Sequence, residues 1–147
     1  MKIGALAAAT GVTPASIRFY EAEGLLPAPA RTESNYREYT AAHVERLHFI
    51  RRCRSLDMEQ GEIRALLALR DAPDGDCGGV NEILDAHLGH VRQRVRELRA
   101  LEAELRALRD QCGGVDNKER CGILRELDGA SVPVPRGAGR HVRGVHR

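Results

Sequence analysis

From Val80 to about Gln111 the chain runs without a proline, and Gly89 is the one glycine in that stretch. Its apolar residues Leu84, Leu88, Val91, Val95, Leu98, Leu101, Leu105 and Leu108 advance by threes and fours. That spacing predicts one long helix with a coiled-coil seam; the step Leu98, Leu101, Leu105 is a phase slip a coiled coil can absorb. Thirty-two residues at about 1.5 Å each make a rod of roughly 48 Å. Such a rod cannot bury its own seam, so it calls for a partner helix, most simply from a second copy in a homodimer. This feature constrains the fold more than any other. The rest of the chain must be a small domain attached to an extended dimerisation element.

The residues ahead of the rod supply that domain. A short helix over residues 2–9 stops at Gly11, a residue suited to positive φ. A second opens at once, with Thr13 as N-cap and Pro14 at the first helical position, where its missing N–H costs nothing. Two short helices about a glycine turn read as helix-turn-helix. The stretch "PAPARTESNYREYT" holds two prolines, a Ser-Asn turn signal and alternating polar and aromatic residues, and reads as a small β-hairpin, or wing. Thr40 caps a third helix carrying Val44, Leu47 and Ile50 at helical spacing. Asp57 and Gln60 form a capping-box pattern that opens a fourth, running through Leu69. Past Cys121, "GILRELD" reads as a short helix, and the Gly-, Pro- and Arg-rich tail after it as disordered.

The fold expected is therefore mainly α. A winged helix-turn-helix domain spans 1–70, a hinge loop with Cys77 spans 71–79, and a coiled-coil dimerisation helix spans 80–111. A thiol-bearing loop and short helix follow at 112–128, then a flexible tail at 129–147 containing His and Arg.

On the N-terminal domain the signal is arrangement, because the net charge is only +2. Thr13, Ser16, Arg18, Phe19 and Tyr20 lie on the second helix, and Arg31, Asn35, Tyr36 and Arg37 on the wing. They place phosphate donors and aromatic faces on adjacent elements, as a helix-turn-helix needs when its second helix enters the major groove. The competing reading is that Phe19, Tyr20 and Tyr39 simply pack the domain, and for Tyr39 packing is the expected role.

Four cysteines remain to be explained. No apolar run is long enough to cross a bilayer and the N-terminal one does not read as a signal peptide, so a cytoplasmic protein with reduced thiols and no membrane association is expected. Cys53 falls at the packing period of the third helix and reads as a buried small hydrophobe. Cys77 stands before the rod and Cys112 and Cys121 after it, too far apart to share a ligand within one chain. If the rods of a dimer run antiparallel, Cys77 of one subunit meets Cys112 and Cys121 of its partner. Three thiolates suit soft ions: Pb(II), which accepts three-coordinate geometry, Hg(II), or Cd(II) if a water, Asp116 or Glu119 completes the shell. Zn(II) is less favoured, because structural zinc closes at four ligands and the loop offers no further Cys or His. The alternatives are ordinary small residues or a thiol-disulfide redox switch between Cys112 and Cys121. His87 and His90, at i and i+3 on the rod, with His141 and His146 in the tail, could make a secondary metal site; solvated histidines are the plainer reading. No nucleophile-base pair, phosphate loop or paired catalytic carboxylates are present, so an enzyme is not expected.

With these residues in hand, the chain resembles the MerR family of transcriptional regulators. The stretches that carry the resemblance are "IGALAAATGVTPASIRFYEAEGLL", "NYREYT" and "LHFIRRCRSLDM", followed by the long helix and the cysteine loop, and together they cover residues 1 to about 128. The resemblance implies an antiparallel coiled-coil homodimer with a sensor site at each end. It also implies binding to double-stranded promoter DNA with an over-long spacer, which metal binding distorts so that RNA polymerase can engage it. Within the family, Cys at position 77 goes with sensors of divalent ions and Ser with sensors of monovalent ones. Cys77, Cys112 and Cys121 match the thiol ligands of the mercury, lead and cadmium branch, and "CGGVNEILDAHLGHV" is most similar to the cadmium- and lead-responsive members.

Overall fold

The computed structural model describes residues 1–74, 77–112 and 121–129. Among these, the elements in chain order are α1 (Ile3–Thr10), α2 (Pro14–Ala22), β1 (Ala30–Arg31), β2 (Arg37–Glu38), α3 (Ala41–Ser55), α4 (Gln60–Asp71), α5 (Gly78–Asp110) and α6 (Gly122–Gly129). The chain is mainly helical, with one small antiparallel hairpin that pairs Ala30 with Glu38 and Arg31 with Arg37. It divides into two compact units, Met1–Leu84 and the residues from Asp85 onward.

The first unit is built around the helix-turn-helix. Gly11 ends α1 in the left-handed region at φ 72°, and its N–H returns to the Ala7 carbonyl. Thr13 then caps α2, its hydroxyl accepting from the Ser16 N–H at 3.2 Å, with Pro14 at N1. Leu6 of α1, Ile17 of α2, Leu47 and Ile50 of α3 and Ile63 and Leu67 of α4 meet Leu25, Leu26 and Tyr39 in one core. Each such aliphatic side chain contributes about 1.5–3 kcal/mol when fully buried. Val80 and Ile83 pack against the same core, so the first turns of α5 belong to this unit.

The join between α3 and α4 departs from the capping box expected at Asp57 and Gln60. Asp57 stands in the left-handed region at φ 59°. Its N–H bonds the Arg54 carbonyl at 3.0 Å, and the Met58 N–H bonds that of Cys53 at 3.2 Å. These two bonds are a Schellman ending of α3, with Asp57 one residue past the cap. The box sits two residues later, where Glu59 is the N-cap and its N–H donates to the Glu62 carboxylate at 3.0 Å. Burial of Met58 makes the choice, because the 6→1 turn carries that side chain inward to 5% exposure.

Thr40 caps α3 as expected, with an unforeseen partner. The Thr40 N–H donates to His43 Nδ1 at 3.0 Å, while Nε2 of the same buried ring lies 3.1 Å from the Pro27 carbonyl. An accepting Nδ1 requires the proton on Nε2, so His43 ties the start of α3 to the segment leading into the hairpin.

Helix α5 spans 33 residues, about 50 Å, beginning two residues before the expected start. Among its seam residues Leu84, Leu88, Val95, Leu101 and Leu105 are exposed. No helix among the described residues is long and apolar enough to cross a membrane.

Candidate functional site

The first candidate surface is the face shared by α2 and the hairpin. Arg18 and Phe19 are exposed on α2, Phe19 by 47%, and Tyr20 is half-buried with its ring edge-on to Phe19. Thr13 and Ser16 stand at the start of α2, where their hydroxyls bond each other at 3.0 Å. On the hairpin, Arg31, Asn35, Tyr36 and Arg37 are all exposed. Asn35 takes φ 65°, a conformation Asn tolerates, and its carbonyl accepts from Arg31 Nη1 at 3.0 Å. Tyr36 is 61% exposed and lies under the ammonium of Lys2, 4.3 Å from the ring centroid. The α2 and hairpin residues singled out in the sequence thus lie in one unit on two adjoining elements. Tyr39 is buried, as its packing role required.

Glu21 joins those two elements, and sequence reasoning missed it. Its carboxylate is only 11% exposed, accepts the Tyr39 hydroxyl proton through Oε1, and lies 3.5 Å from Arg37 Nε through Oε2. Burial, then the hydrogen bond to Glu21 and the Glu21 charge, push the Tyr39 hydroxyl up to about 12, against a smaller opposing pull from Arg37 and Arg18. The available signal was its register: Glu21 follows the fully buried Ile17 by four residues and therefore shares its inward face.

The second candidate surface is the set of thiols. Cys77, Cys112 and Cys121 are free; the first two are exposed and Cys121 is half-buried, whereas Cys53 is buried, which pushes its thiol pKa up. Cys77 immediately precedes α5, and its carbonyl accepts the Asn81 N–H at 3.0 Å. Cys112 follows α5, its N–H bonded to the Arg109 carbonyl at 3.1 Å, and Cys121 immediately precedes α6. A Cβ added to Gly122 would stand 2.2 Å from the Gln111 carbonyl oxygen, so the residues next to Cys121 and Cys112 are in backbone contact. Cys112 and Cys121 thus each adjoin one of two residues whose backbones approach closely. Asp116 and Glu119 lie outside the described residues, as do His141 and His146. His87 is buried and His90 exposed, with ring centroids 6.4 Å apart.

Comparison with known proteins agrees with this geometry. The sequence matches the family described as "MerR HTH family regulatory protein" over residues 1–69 and that described as "MerR, DNA binding" over residues 44–108. It is 45% identical over 111 residues to the HTH-type transcriptional regulator ZntR homolog of Haemophilus influenzae, covering 76% of this chain and 82% of that protein. It is 33% identical over 126 residues to the mercuric resistance operon regulatory protein of Bacillus cereus, covering 86% and 96%. Among solved structures, it is similar to the transcription regulator PbrR691 from Ralstonia metallidurans CH34 in complex with lead(II). That match has a TM-score of 0.79 and 51% identity, and covers 86% of this chain and 98% of the other. A helix-turn-helix with a wing, a long helix behind it and similarity over most of the chain's length agree on one assignment: the chain belongs to the MerR family of transcriptional regulators.

Proposed function

We propose that this protein is a homodimeric, soft-metal-responsive regulator that binds a palindromic promoter and activates transcription when Pb(II) or Cd(II) binds its thiols; Hg(II) and Zn(II) are the next ions in line. The observation that carries the reading is the placement of the thiols. Cys112 and Cys121 share one loop neck at the far end of a helix of about 50 Å, and Cys77 stands at its near end. A site of three sulfurs then needs two antiparallel chains, each lending Cys77 to its partner's Cys112 and Cys121. The exposed leucines and valine of α5 support the same pairing, because an apolar stripe of that length is stabilised by a second helix. Similarity to a lead(II)-bound regulator and to a mercuric resistance regulator favours large thiophilic ions. His87 and His90, joined by His141 and His146, are a candidate second site for the same ions.

In this reading the face bearing Thr13, Ser16, Arg18, Phe19 and Tyr20 enters the major groove, while Arg31, Asn35, Tyr36 and Arg37 hold the flanking backbone. The metal acts as ligand. By tying the two subunits at the ends of the coil it favours one angle between the coil and the DNA-binding units. A shift between two DNA-bound states requires that the ion bind one of them more tightly. Distorting the promoter costs a few kcal/mol. RNA polymerase then engages the reshaped promoter.

Titration of the fully reduced protein with Pb(II), Cd(II), Hg(II) and Zn(II), read by thiolate-to-metal charge-transfer absorbance, tests the proposal. One ion bound per chain, with the band lost in Cys77→Ser and in Cys112→Ser, is the expected result. If no ion gives charge transfer, the weight moves to a disulfide switch between Cys112 and Cys121, detectable as loss of both thiols under mild oxidation.

A further inference from the structure

Gly24 turns the chain out of α2 at φ 75°, and the residues on either side of it are both held from α4. On one side, Arg64 Nη1 donates to the Glu23 carbonyl at 2.7 Å and Gln60 donates to the Glu23 carboxylate at 3.0 Å. On the other side the grip is indirect. Arg46 of α3 donates through Nε to the Leu25 carbonyl, and its Nη1 donates to both carboxylate oxygens of Asp71, at 3.0 and 2.9 Å. Asp71 is the last residue of α4. Two residues before it, Leu69 lies against the first turn of α5. A Cβ added to Gly79, two residues past Cys77, would stand 3.0 Å from Leu69 Cδ1. One end of α4 thus holds the exit of α2, and the other meets the turn that follows the first thiol.

We infer that α4 is the bar that carries metal binding from Cys77 to the exit of α2, with the Arg46–Asp71 pair as its link to Leu25. The inference rests on the metal-responsive reading and names the regulation of that same site. An ion that draws Cys77 towards a partner's thiols displaces the backbone leading into Gly79. Leu69 is packed against that turn, and close-packed side chains transmit strain, so the displacement passes into the end of α4. From Asp71 it reaches the Leu25 carbonyl through one guanidinium, whose side chain is 15% exposed and has little room to swing aside. A rotation at Gly24 then re-aims the face of α2 that bears Arg18 and Phe19. The pair suits a relay better than a brace. Asp71 is 53% exposed, and an ion pair half open to water contributes little to stability.

The experiment separates binding from its consequence. A duplex selected from a random-sequence pool by the full-length wild-type protein carries a donor and an acceptor dye at its two ends. Energy transfer in the saturated complex is read before and after Pb(II), alongside duplex affinity by anisotropy and Pb(II) affinity by charge-transfer absorbance. Asp71→Asn is expected to bind the duplex and Pb(II) as the wild type does, yet to lose about half or more of the Pb(II)-dependent change. Asp71→Glu keeps the carboxylate and most of the response. Glu45→Gln removes the same charge from a neighbouring contact to Arg70, 4.0 Å long with Glu45 72% exposed, and keeps the full response. Leu69→Ala breaks the contact with α5 without touching the ion pair, and is expected to lose response as Asp71→Asn does. A full response in either Asp71→Asn or Leu69→Ala overturns the relay. So do equal losses in Asp71→Asn and Glu45→Gln, which charge alone explains, or a matching fall in duplex affinity, which makes the pair a support for α2. A wild type that binds Pb(II) and duplex with no change in energy transfer overturns the metal-driven distortion itself, and the relay with it.

Discussion

Glu21 presents a carboxylate, almost buried, on the helix expected to enter the DNA groove, and its two partners lie on or beside the wing. A buried carboxylate is stable only when paired and hydrogen-bonded, and here Tyr39 and Arg37 provide both. The consequence is positional: the spacing between the α2 face and the wing is set by one side chain that touches both. Tyr39 reports on it. Its pKa is raised to about 12, so the unfolded chain loses this proton near pH 10 while the folded chain keeps it. Stability from this group is complete below pH 10 and is lost as pH rises through 12. Tyr39 should give a late step near pH 12 in ultraviolet absorbance, and Glu21→Gln should bring that step down towards pH 10 while weakening duplex binding through the freed Arg37. An unchanged late step would show that burial alone holds the proton. Thr13, Pro14 and the exposed arginines were legible in the sequence because capping and exposure are local properties. Glu21 was not, because its partner Tyr39 is eighteen residues away and only the folded wing brings them together.

At the scale of elements, what the sequence could not decide was where helices end. The hexapeptide "DMEQGE" contains the acidic-x-x-acidic-or-amide pattern twice, from Asp57 to Gln60 and from Glu59 to Glu62, and local chemistry ranks both as boxes. Burial of Met58 breaks the tie by favouring the Schellman turn, which leaves Asp57 left-handed. Asp57→Val should accordingly cost about 1–2 kcal/mol in urea unfolding, because a β-branched residue is strained at positive φ. A change near zero would mean that the turn is not left-handed. Close approach of two backbones decides the outcome at Gly122 as well. Gly122 opens α6, where alanine is the better helix former, so propensity alone predicts that Gly122→Ala stabilises. An added Cβ would stand 2.2 Å from the Gln111 carbonyl oxygen, which reverses that sign, since backbone cannot yield as a side chain can. We expect this variant to spread the loop neck and lower metal affinity about 10–100-fold, the usual range for a residue that orients ligands, while leaving duplex binding intact. Competition against a chromophoric chelator measures it. That the cysteines flank the long helix was plain from their positions; that Cys112 and Cys121 share a neck depends on a glycine whose meaning appears only in the folded backbone.

The whole molecule poses one question that its single chain states clearly. Helix α5 leaves a stripe of leucines and valine exposed and is flanked by thiols at both ends, so the apolar seam and the proposed three-thiol site are each incomplete in one chain. Under the function proposed above, one antiparallel partner would meet both deficits, and this gives a prediction about symmetry. In a dimer built that way each site draws Cys77 from one chain and Cys112 and Cys121 from the other. Cys77→Ser homodimers then have no complete site, and neither do Cys112→Ser homodimers. A heterodimer of the two does have one, because the Cys77→Ser chain still offers Cys112 and Cys121 to the intact Cys77 of its partner. Unfolding and refolding the two variants together in equal amounts should give heterodimers in about half of the dimers, and hence about a quarter of the wild-type sites. The measurement is charge-transfer absorbance with Pb(II) on the mixture. Recovery of about a quarter of the wild-type signal, from two variants that separately give none, supports a site shared between chains. No recovery, with heterodimers shown to have formed, would place all three thiols of a site on one chain and remove the reason for an antiparallel coil.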